Sequence, residues 1–396
     1  MKRENPFSPA FPCNPKIFVN RKEELNSFER AFFRSAKTTF PTPDNILILG
    51  NWGLGKSSLL IKFESIAIEK SNSQNVFSSI VELVPSCCSS MYNLKTKIID
   101  DLESNFFAVE KILPELRAKV KEWKFSSGQS LNLNGRKGVH IGSIETKNIH
   151  QKNLKEVLID LWSILEDEGI EIALLMIDDI HYLAENFPDG IYELLNTFKN
   201  LPKYGCNFML CITSAPDILT EKKFLENFRF FSISHKLRNF TLNETKEAIL
   251  KPIELLGTKT EISDQVIEKI YELTQGHPFF INFIMRELMS FAYSERVSLV
   301  SLEYFDRKFS LLRKMINNEK FQIDFYSASA KERRILINAA KLSEKFSPSE
   351  IPIKDARTQL RFLLRKNLIV RHSRGEYSLY HPLFKEYLLD ISGEHI

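Results

Sequence analysis

The sequence contains a short run in which glycines precede a lysine and a serine at the spacing G-x-x-x-x-G-K-S. The run consists of Gly50, Asn51, Trp52, Gly53, Leu54, Gly55, Lys56 and Ser57, and Ser58 follows it. Glycines let backbone N–H groups turn inward around phosphate oxygens, while a lysine and a hydroxyl at this spacing reach the terminal phosphates and Mg²⁺. The run therefore predicts a site for ATP and Mg²⁺.

The elements around this run support the same chemistry. Residues 45–50 form a short, mainly apolar run that ends in Gly50 and predicts a buried strand. Leu59, Leu60 and Phe63 follow at a helical spacing. A strand before the glycines and a helix after the lysine distinguish a P-loop from a chance match. The N-terminus of that helix also favours a phosphate.

Two carboxylates follow a second apolar run, residues 172–177. Asp178 is predicted to hold Mg²⁺ through water, as a Walker B aspartate does. Asp179 could polarise the attacking water or cap the next helix, since aspartate is a good N-cap. A third apolar run ends in Thr213 and Ser214, whose hydroxyls could sense the γ-phosphate or satisfy the local backbone.

Strand and helix patterns alternate through the first 240 residues, which predicts an α/β layer with a parallel sheet. Within it, glycines punctuate residues 122–148 and indicate a β-hairpin insertion. Strand signals stop afterwards, and helical patterns follow. We therefore expect a nucleotide-binding core with an N-terminal arm (1–240), a helical lid (241–320) and a C-terminal domain (321–396).

Composition excludes several classes of protein. The chain has 396 residues, of which 43% are hydrophobic and 26% charged, values typical of a globular protein with more than one domain. No apolar run approaches the roughly 20 residues of a membrane helix. The N-terminus lacks the apolar core of a signal peptide, which predicts a cytoplasmic protein. Five cysteines without metal-site spacing indicate reduced, structural thiols.

Together these motifs resemble the AAA+ ATPases, in the branch of origin-recognition initiators, STAND switch ATPases and archaeal-type ATPases, over roughly residues 14–290. The resemblance implies that Arg21 belongs to the N-terminal box of the adenine pocket, although Asn20 replaces the usual glycine. It implies a sensor-1 role for Ser214. It also implies that Arg229 is an arginine finger, which would reach the nucleotide of a neighbouring subunit in a homo-oligomer.

Two departures from the AAA+ pattern bear on the rate of hydrolysis and on switching. Many members carry glutamate where this chain has the shorter Asp179, which implies slow hydrolysis. Gly276, His277 and Pro278 are similar to the G-x-P element of STAND proteins, whose proline contacts nucleotide in the lid. The sensor-2 arginine of many initiators is not evident here.

The C-terminal segment 328–390 resembles a winged-helix domain. Ser329 and Glu332 form a capping-box pattern at its first helix. Residues 331–374 contain 12 Lys or Arg and 4 Asp or Glu, a positive surplus larger than the net charge of +4 of the whole chain. Five arginines are predicted to contact DNA, three along one side of a helix and two on the wing. They are Arg357, Arg361, Arg365, Arg371 and Arg374.

Two functions fit these motifs. In the first, an ATP-driven switch acts on double-stranded DNA through the winged helix. In the second, a STAND-like signalling or defence switch is held closed by ADP, and its winged helix contacts a protein.

Overall fold

The computed structural model describes residues 5–36, 40–70, 75–105, 119–120, 123 and 152–393. The predicted hairpin insertion at 122–148 therefore lies, apart from Trp123, outside the described residues. The chain forms two compact units. The sheet unit comprises Arg21–Gly50 and Lys56–Leu237, and the helical unit comprises Met1–Asn20, Asn51–Gly55 and Arg238–Ile396. The three-domain division expected from the sequence stays a prediction.

The sheet unit is built on five parallel strands in the order β2-β3-β4-β1-β5. They are β1 (Asn45–Leu49), β2 (Val76–Glu82), β3 (Ile172–Asp178), β4 (Phe208–Ser214) and β5 (Phe231–Lys236). Every residue of β1, β3 and β4 is buried, as expected for a parallel sheet covered on both faces. This confirms the α/β parallel sheet predicted from the alternation.

The first described helix of the sheet unit precedes β1, and the others lie between or after the strands. They are α1 (Lys22–Ala36), α2 (Lys56–Lys70), α3 (Met91–Asn105), α4 (Leu154–Asp167), α5 (His181–Asn186), α6 (Pro188–Asn200) and α7 (Lys222–Leu225). The described part of this unit also has four short 3₁₀ helices, at Pro85–Cys88, Leu201–Tyr204, Pro216–Thr220 and Phe228–Phe230. Leucine, isoleucine and aromatic side chains of α3 to α7 pack with side chains of the five strands in a buried core.

The helical unit contains eight described α-helices. They are α8 (Leu242–Leu255), α9 (Asp264–Thr274), α10 (Pro278–Ser294), α11 (Leu302–Ile316), α12 (Gln322–Ser327), α13 (Ala330–Ala340), α14 (Ala356–Arg365) and α15 (Pro382–Ile391). A π-helical turn, Asn317–Phe321, joins α11 to α12, and a 3₁₀ turn, Pro348–Glu350, precedes α14. The four strands are β6 (Glu261–Ile262), β7 (Leu299–Val300), β8 (Ile369–Ser373) and β9 (Glu376–Leu379).

The expectation that strand signals stop after about residue 240, and that successive helices follow up to the C-terminal segment, was wrong in one detail. Two-residue strands β6 and β7 pair in parallel between the helices. Each contributes one buried residue, Ile262 and Val300, to the core of the lid helices. Strands of two residues carry no measurable sequence period, so the pattern could not reveal them.

The C-terminal segment agrees with its predicted elements and adds one helix. Ser329 caps α13, since its hydroxyl accepts from Glu332 N–H while Glu332 accepts from Ser329 N–H, which confirms the capping box. Strands β8 and β9 form an antiparallel hairpin. Helix α15 then follows, which the sequence analysis did not anticipate. Its Phe384 and Leu388 are fully buried in the core of this segment.

Gly276 allows the backbone to turn tightly at the end of α9. Its φ is +72°, and a Cβ built on it would lie 1.9 Å from the carbonyl oxygen of Phe240. The same region is held by a hydrogen bond from Phe240 N–H to Gly276 O of 2.8 Å. No side chain fits there without displacing backbone.

We expect Gly276→Ala to lower the free energy of unfolding by more than about 2 kcal/mol, because steric overlap with backbone adds to the left-handed strain. Gly257→Ala is the matched control: Gly257 has a φ of +61° with no heavy atom within 4 Å of a built Cβ. That variant meets only the strain of the left-handed region, about 1 kcal/mol. Urea denaturation of both variants measures the difference, and equal losses would contradict the steric argument.

Among the described helices, none is both long enough and apolar enough to cross a membrane.

Candidate nucleotide-binding site

Three strands of the sheet unit end side by side at one edge, and the candidate site lies there. The register pairs Leu49 of β1 with Ser214 of β4, and Ile177 of β3 with Ile212 of β4. Because the strands are parallel, their carboxyl ends meet at the same edge. Gly50 N–H donates to Ser214 O over 3.0 Å and fixes the start of the P-loop beside β4.

The P-loop leaves β1 and enters α2 through two glycines with left-handed backbones. Gly53 has a φ of +78° and Gly55 a φ of +86°. Lys56 is the first residue of α2, and its side chain is 9% exposed. A helix N-terminus with a buried lysine suits an anion. The phosphate contacts predicted for residues 50–58 remain predictions.

Asp178 lies between two hydroxyl groups at the edge of the sheet. Ser57 Oγ donates to one carboxylate oxygen over 2.5 Å, and Thr213 Oγ1 donates to the other. Burial raises the pKa of Asp178, and the charge of Asp179 raises it further. A serine hydroxyl and a carboxylate are hard oxygen donors of the kind that Mg²⁺ prefers. The residues present therefore fit the predicted metal.

Asp179 has a φ of +55°, which is uncommon for a residue other than glycine. Its backbone N–H donates to Thr213 Oγ1 over 2.9 Å, and its Oδ1 lies 3.5 Å from Lys56 Nζ. Asp179 is thus held at the site by both backbone and side chain. Strained backbone of this kind clusters at functional sites.

Thr213 contacts the carboxylates, whereas Ser214 does not. The Ser214 hydroxyl donates to Ala215 O over 3.0 Å and is fully buried. This is the local-backbone alternative left open by the sequence. Since side chains alternate across a strand, the choice between two adjacent hydroxyls depends on register. The sensor role of Ser214 stays a prediction.

Trp52 and Gly53, at the tip of the P-loop, belong to the helical unit. The Trp52 ring lies 3.5 Å from Lys320 Nζ and 4.5 Å from the Phe279 ring. A Cβ on Gly53 would lie 2.6 Å from His277 Cε1. Lys320 comes from the π-helical turn, a rare element often found at functional sites. The sequence analysis did not single out Lys320.

His277 and Pro278 form the start of α10. Pro278 is the first residue of the helix, where its missing N–H costs nothing. Burial lowers the pKa of His277 to about 3, and the neighbouring His381 makes a smaller contribution in the same direction. His277 is therefore a neutral, buried side chain. Nucleotide contact by Pro278 stays a prediction.

Two further residues predicted from the sequence, Arg21 and Arg229, lie in the sheet unit. Arg21 is 7% exposed and has a φ of +59°, directly after Asn20 with a φ of +66°. Asparagine tolerates this left-handed conformation better than most residues, which explains why it can replace a glycine. Arg229 is exposed in the 3₁₀ helix before β5. Their roles as adenine contact and arginine finger stay predictions.

The five predicted DNA-contacting arginines are all exposed. Arg357, Arg361 and Arg365 lie on α14 at four-residue intervals, opposite the buried Leu360 and Leu363. The two others, Arg371 and Arg374, lie in or beside the hairpin of β8 and β9. Within the described ranges, none of the five forms an ion pair with an acidic side chain. They thus present unneutralised positive charge.

Comparison with known families and structures agrees with this geometry. Residues 36–221 match the KAP family P-loop domain. The fold of the whole chain is similar to the ORC2 protein of Aeropyrum pernix, solved as ADPNP-ADP complexes, with a TM-score of 0.62 and 13% identity over 98% of each chain. No match was found among proteins of curated function.

Two further solved structures share the fold. A Walker-type ATPase of Pyrococcus abyssi is 18% identical, with a TM-score of 0.58 over 94% of this chain and 96% of that chain. The ORC1 protein of Aeropyrum pernix, solved in complex with DNA, is 13% identical, with a TM-score of 0.53 over 94% and 93%. At these identities the likeness concerns the fold.

Proposed function

We propose that the chain, whose fold resembles that of the AAA+ ATPases of the origin-recognition-like branch, is a slow, Mg²⁺-dependent P-loop ATPase. In this proposal it acts as a nucleotide-gated switch on double-stranded DNA. The observation that carries the nucleotide part is the meeting of Ser57 and Asp178. A hydroxyl from the P-loop and a Walker B carboxylate, 2.5 Å apart, are the two groups that Mg²⁺ would join beside the phosphates.

Each residue at the sheet edge has a task in this proposal. Lys56 neutralises charge on the terminal phosphates, and Asp178 with Ser57 holds Mg²⁺. Bound Mg²⁺ would screen the phosphate oxygens and draw charge from the transition state. Asp179 orients the attacking water. Arg21 contacts the adenine side, and the exposed Arg229 reaches the nucleotide of a second copy of the chain.

The DNA part of the proposal is supported by the charge of the C-terminal segment, which we propose to be a winged helix. An exposed arginine every fourth residue along α14 presents one continuous positive edge, and the hairpin adds two more. Phosphates supply most of the sequence-independent affinity in such interfaces. The solved ORC1 protein of Aeropyrum pernix, in complex with DNA, has the same overall fold.

We expect the triple variant Arg357→Ala, Arg361→Ala, Arg365→Ala to bind duplex DNA at least about tenfold more weakly at moderate salt, because three phosphate contacts are lost. The slope of log affinity against log salt should fall by about 3. Gel-shift or anisotropy titrations at several salt concentrations measure both quantities.

A control variant removes the same charge elsewhere. Lys222, Lys251 and Lys259 are exposed and lie outside the C-terminal segment. Their replacement by alanine should leave DNA affinity and the salt slope close to wild type. If wild-type protein binds no duplex at low salt with either ATP or ADP, the DNA part of the proposal is wrong.

A second function is favoured by the tip of the P-loop. His277 of the G-x-P element lies against Gly53, and Lys320 lies against Trp52. The helical unit also encloses a cavity of about 420 Å³ beside Trp52 and His277. These contacts suit a STAND-like switch, closed around ADP, whose C-terminal segment contacts a protein. Tightly bound ADP in purified protein, together with no effect of DNA on hydrolysis, would favour this second function.

A further inference from the structure

Two side chains of the sheet unit, Lys56 and His181, approach the same carboxylate oxygen of Asp179. Asp179 Oδ1 lies 3.5 Å from Lys56 Nζ and 3.7 Å from His181 Nδ1. Both Asp179 Oδ1 and His181 Nδ1 are buried atoms without a hydrogen-bond partner among the described residues. Buried polar atoms are costly unless they are paired. Asp179 Oδ1 and His181 Nδ1 lie 3.7 Å apart, and neither makes a hydrogen bond among the described residues. This arrangement therefore calls for an explanation.

His181 is the first residue of α5 and is 6% exposed. Burial lowers its pKa to about 4, and the charge of Lys56 lowers it further, while Asp217 and Asp178 act in the opposite direction. The imidazole is therefore neutral at physiological pH and carries its single proton on one of two nitrogens. A proton on Nδ1 makes His181 a donor toward Asp179.

His381 of the helical unit shows what a purely structural histidine looks like in this protein. Its Nε2 lies 2.9 Å from Thr274 O, and its Nδ1 accepts from Leu383 N–H over 3.1 Å. Both ring nitrogens are thus used by backbone groups. The Nδ1 of His181 is also buried, but it has no hydrogen-bond partner among the described residues. His181 is therefore poorly explained by packing alone.

We propose that His181 is a positioning residue for ATP hydrolysis, which holds Asp179 through a hydrogen bond from Nδ1 to Oδ1 once Lys56 has engaged the phosphates. This inference rests on the proposed ATPase function. Without nucleotide, Lys56 and His181 face the same oxygen. When Lys56 turns to the phosphates, His181 is the donor that remains beside Asp179.

The distance of 3.7 Å is longer than a hydrogen bond. Catalytic hydrogen bonds are often long before substrate binds and tighten in the complex. The backbone of Asp179 is already fixed by its contact with Thr213, so only side-chain torsions need to change. The positioned carboxylate then accepts a hydrogen bond from the attacking water.

The test compares His181→Asn with His181→Leu. Asparagine and leucine have similar size, and the asparagine amide nitrogen occupies the place of Nδ1, so only asparagine keeps the donor. We expect His181→Leu to lower kcat by about tenfold to hundredfold, as the loss of an orienting partner does. His181→Asn should recover most of that loss. The affinity for a fluorescent ATP analogue should stay within about twofold in both, since His181 orients water and not phosphate.

A double variant separates positioning from structure. Because His181 acts through Asp179, adding His181→Leu to Asp179→Ala should cause no further loss of kcat. Equal loss in His181→Asn and His181→Leu, or an additive loss in the double variant, would overturn the inference. If His181→Leu hydrolyses ATP at the same rate as wild type, the inference about His181 is wrong while the proposed ATPase function stands. A wild type that binds ATP but hydrolyses none overturns the proposed hydrolysis and this inference together.

Discussion

Replacing Lys56 with alanine is expected to abolish ATP hydrolysis and to weaken ATP binding by about tenfold to hundredfold, the value of one charge-assisted hydrogen bond to phosphate. Hydrolysis falls further than binding because the lysine also opposes charge that develops in the transition state. Lys56 is buried at the start of α2, so its ammonium is poorly screened by water. Titration with a fluorescent ATP analogue and a phosphate-release assay measure the two effects.

Lys70→Ala is the matched control, because Lys70 lies on the same helix α2 but at its exposed end, where it pairs with Glu29. That variant should bind and hydrolyse ATP as wild type does. Undiminished hydrolysis in Lys56→Ala would show that the P-loop does not bind the phosphates of ATP.

Asp178→Asn is expected to lower Mg²⁺-dependent hydrolysis by at least about a hundredfold, because a neutral amide no longer supplies charge to the metal shell. The free energy of unfolding should stay the same or increase in this variant. Burial raises the pKa of Asp178, so its ionised form opposes folding when no cation is present. A neutral asparagine of the same shape removes that cost while it keeps contacts with Ser57 and Thr213.

The two effects of Asp178→Asn are measured separately. Hydrolysis is followed while Mg²⁺ is titrated, and thermal unfolding is followed in EDTA without nucleotide. We expect a midpoint of unfolding equal to or above that of wild type. A strong loss of stability with full hydrolysis would mean that Asp178 is a structural carboxylate and that another group holds Mg²⁺.

The sheet core was the most predictable part of the fold. Its strands are short apolar runs, and buried parallel strands need apolar residues on both faces. The apolar runs therefore predicted β1, β3 and β4, with carboxyl ends within one residue of those in the structure. The order of the strands was not anticipated, because periodicity describes each strand alone and says nothing of its neighbours.

The candidate site was predictable where a motif has fixed spacing and unpredictable elsewhere. Ser57 and Asp178 are 121 residues apart, yet their two motifs assigned both to one metal site, and the structure brings the two side chains within 2.5 Å of each other. The sequence could not show which of Thr213 and Ser214 contacts the carboxylates, because this depends on the register of β4. Lys320 and His181 were missed because neither belongs to a spaced motif. The position of His181, three residues after Asp178 at the start of a helix, was the one available signal.

The strand order has a consequence for how the protein is made. Among the described strands, β1, which leads into the P-loop, pairs with β4 and β5, and both follow it by more than 150 residues in the chain. During synthesis β1 therefore waits without partners until residues 208–236 have left the ribosome. Contacts this distant in sequence form late and slowly. The proposed nucleotide site is therefore complete only after β4 has entered between β3 and β1.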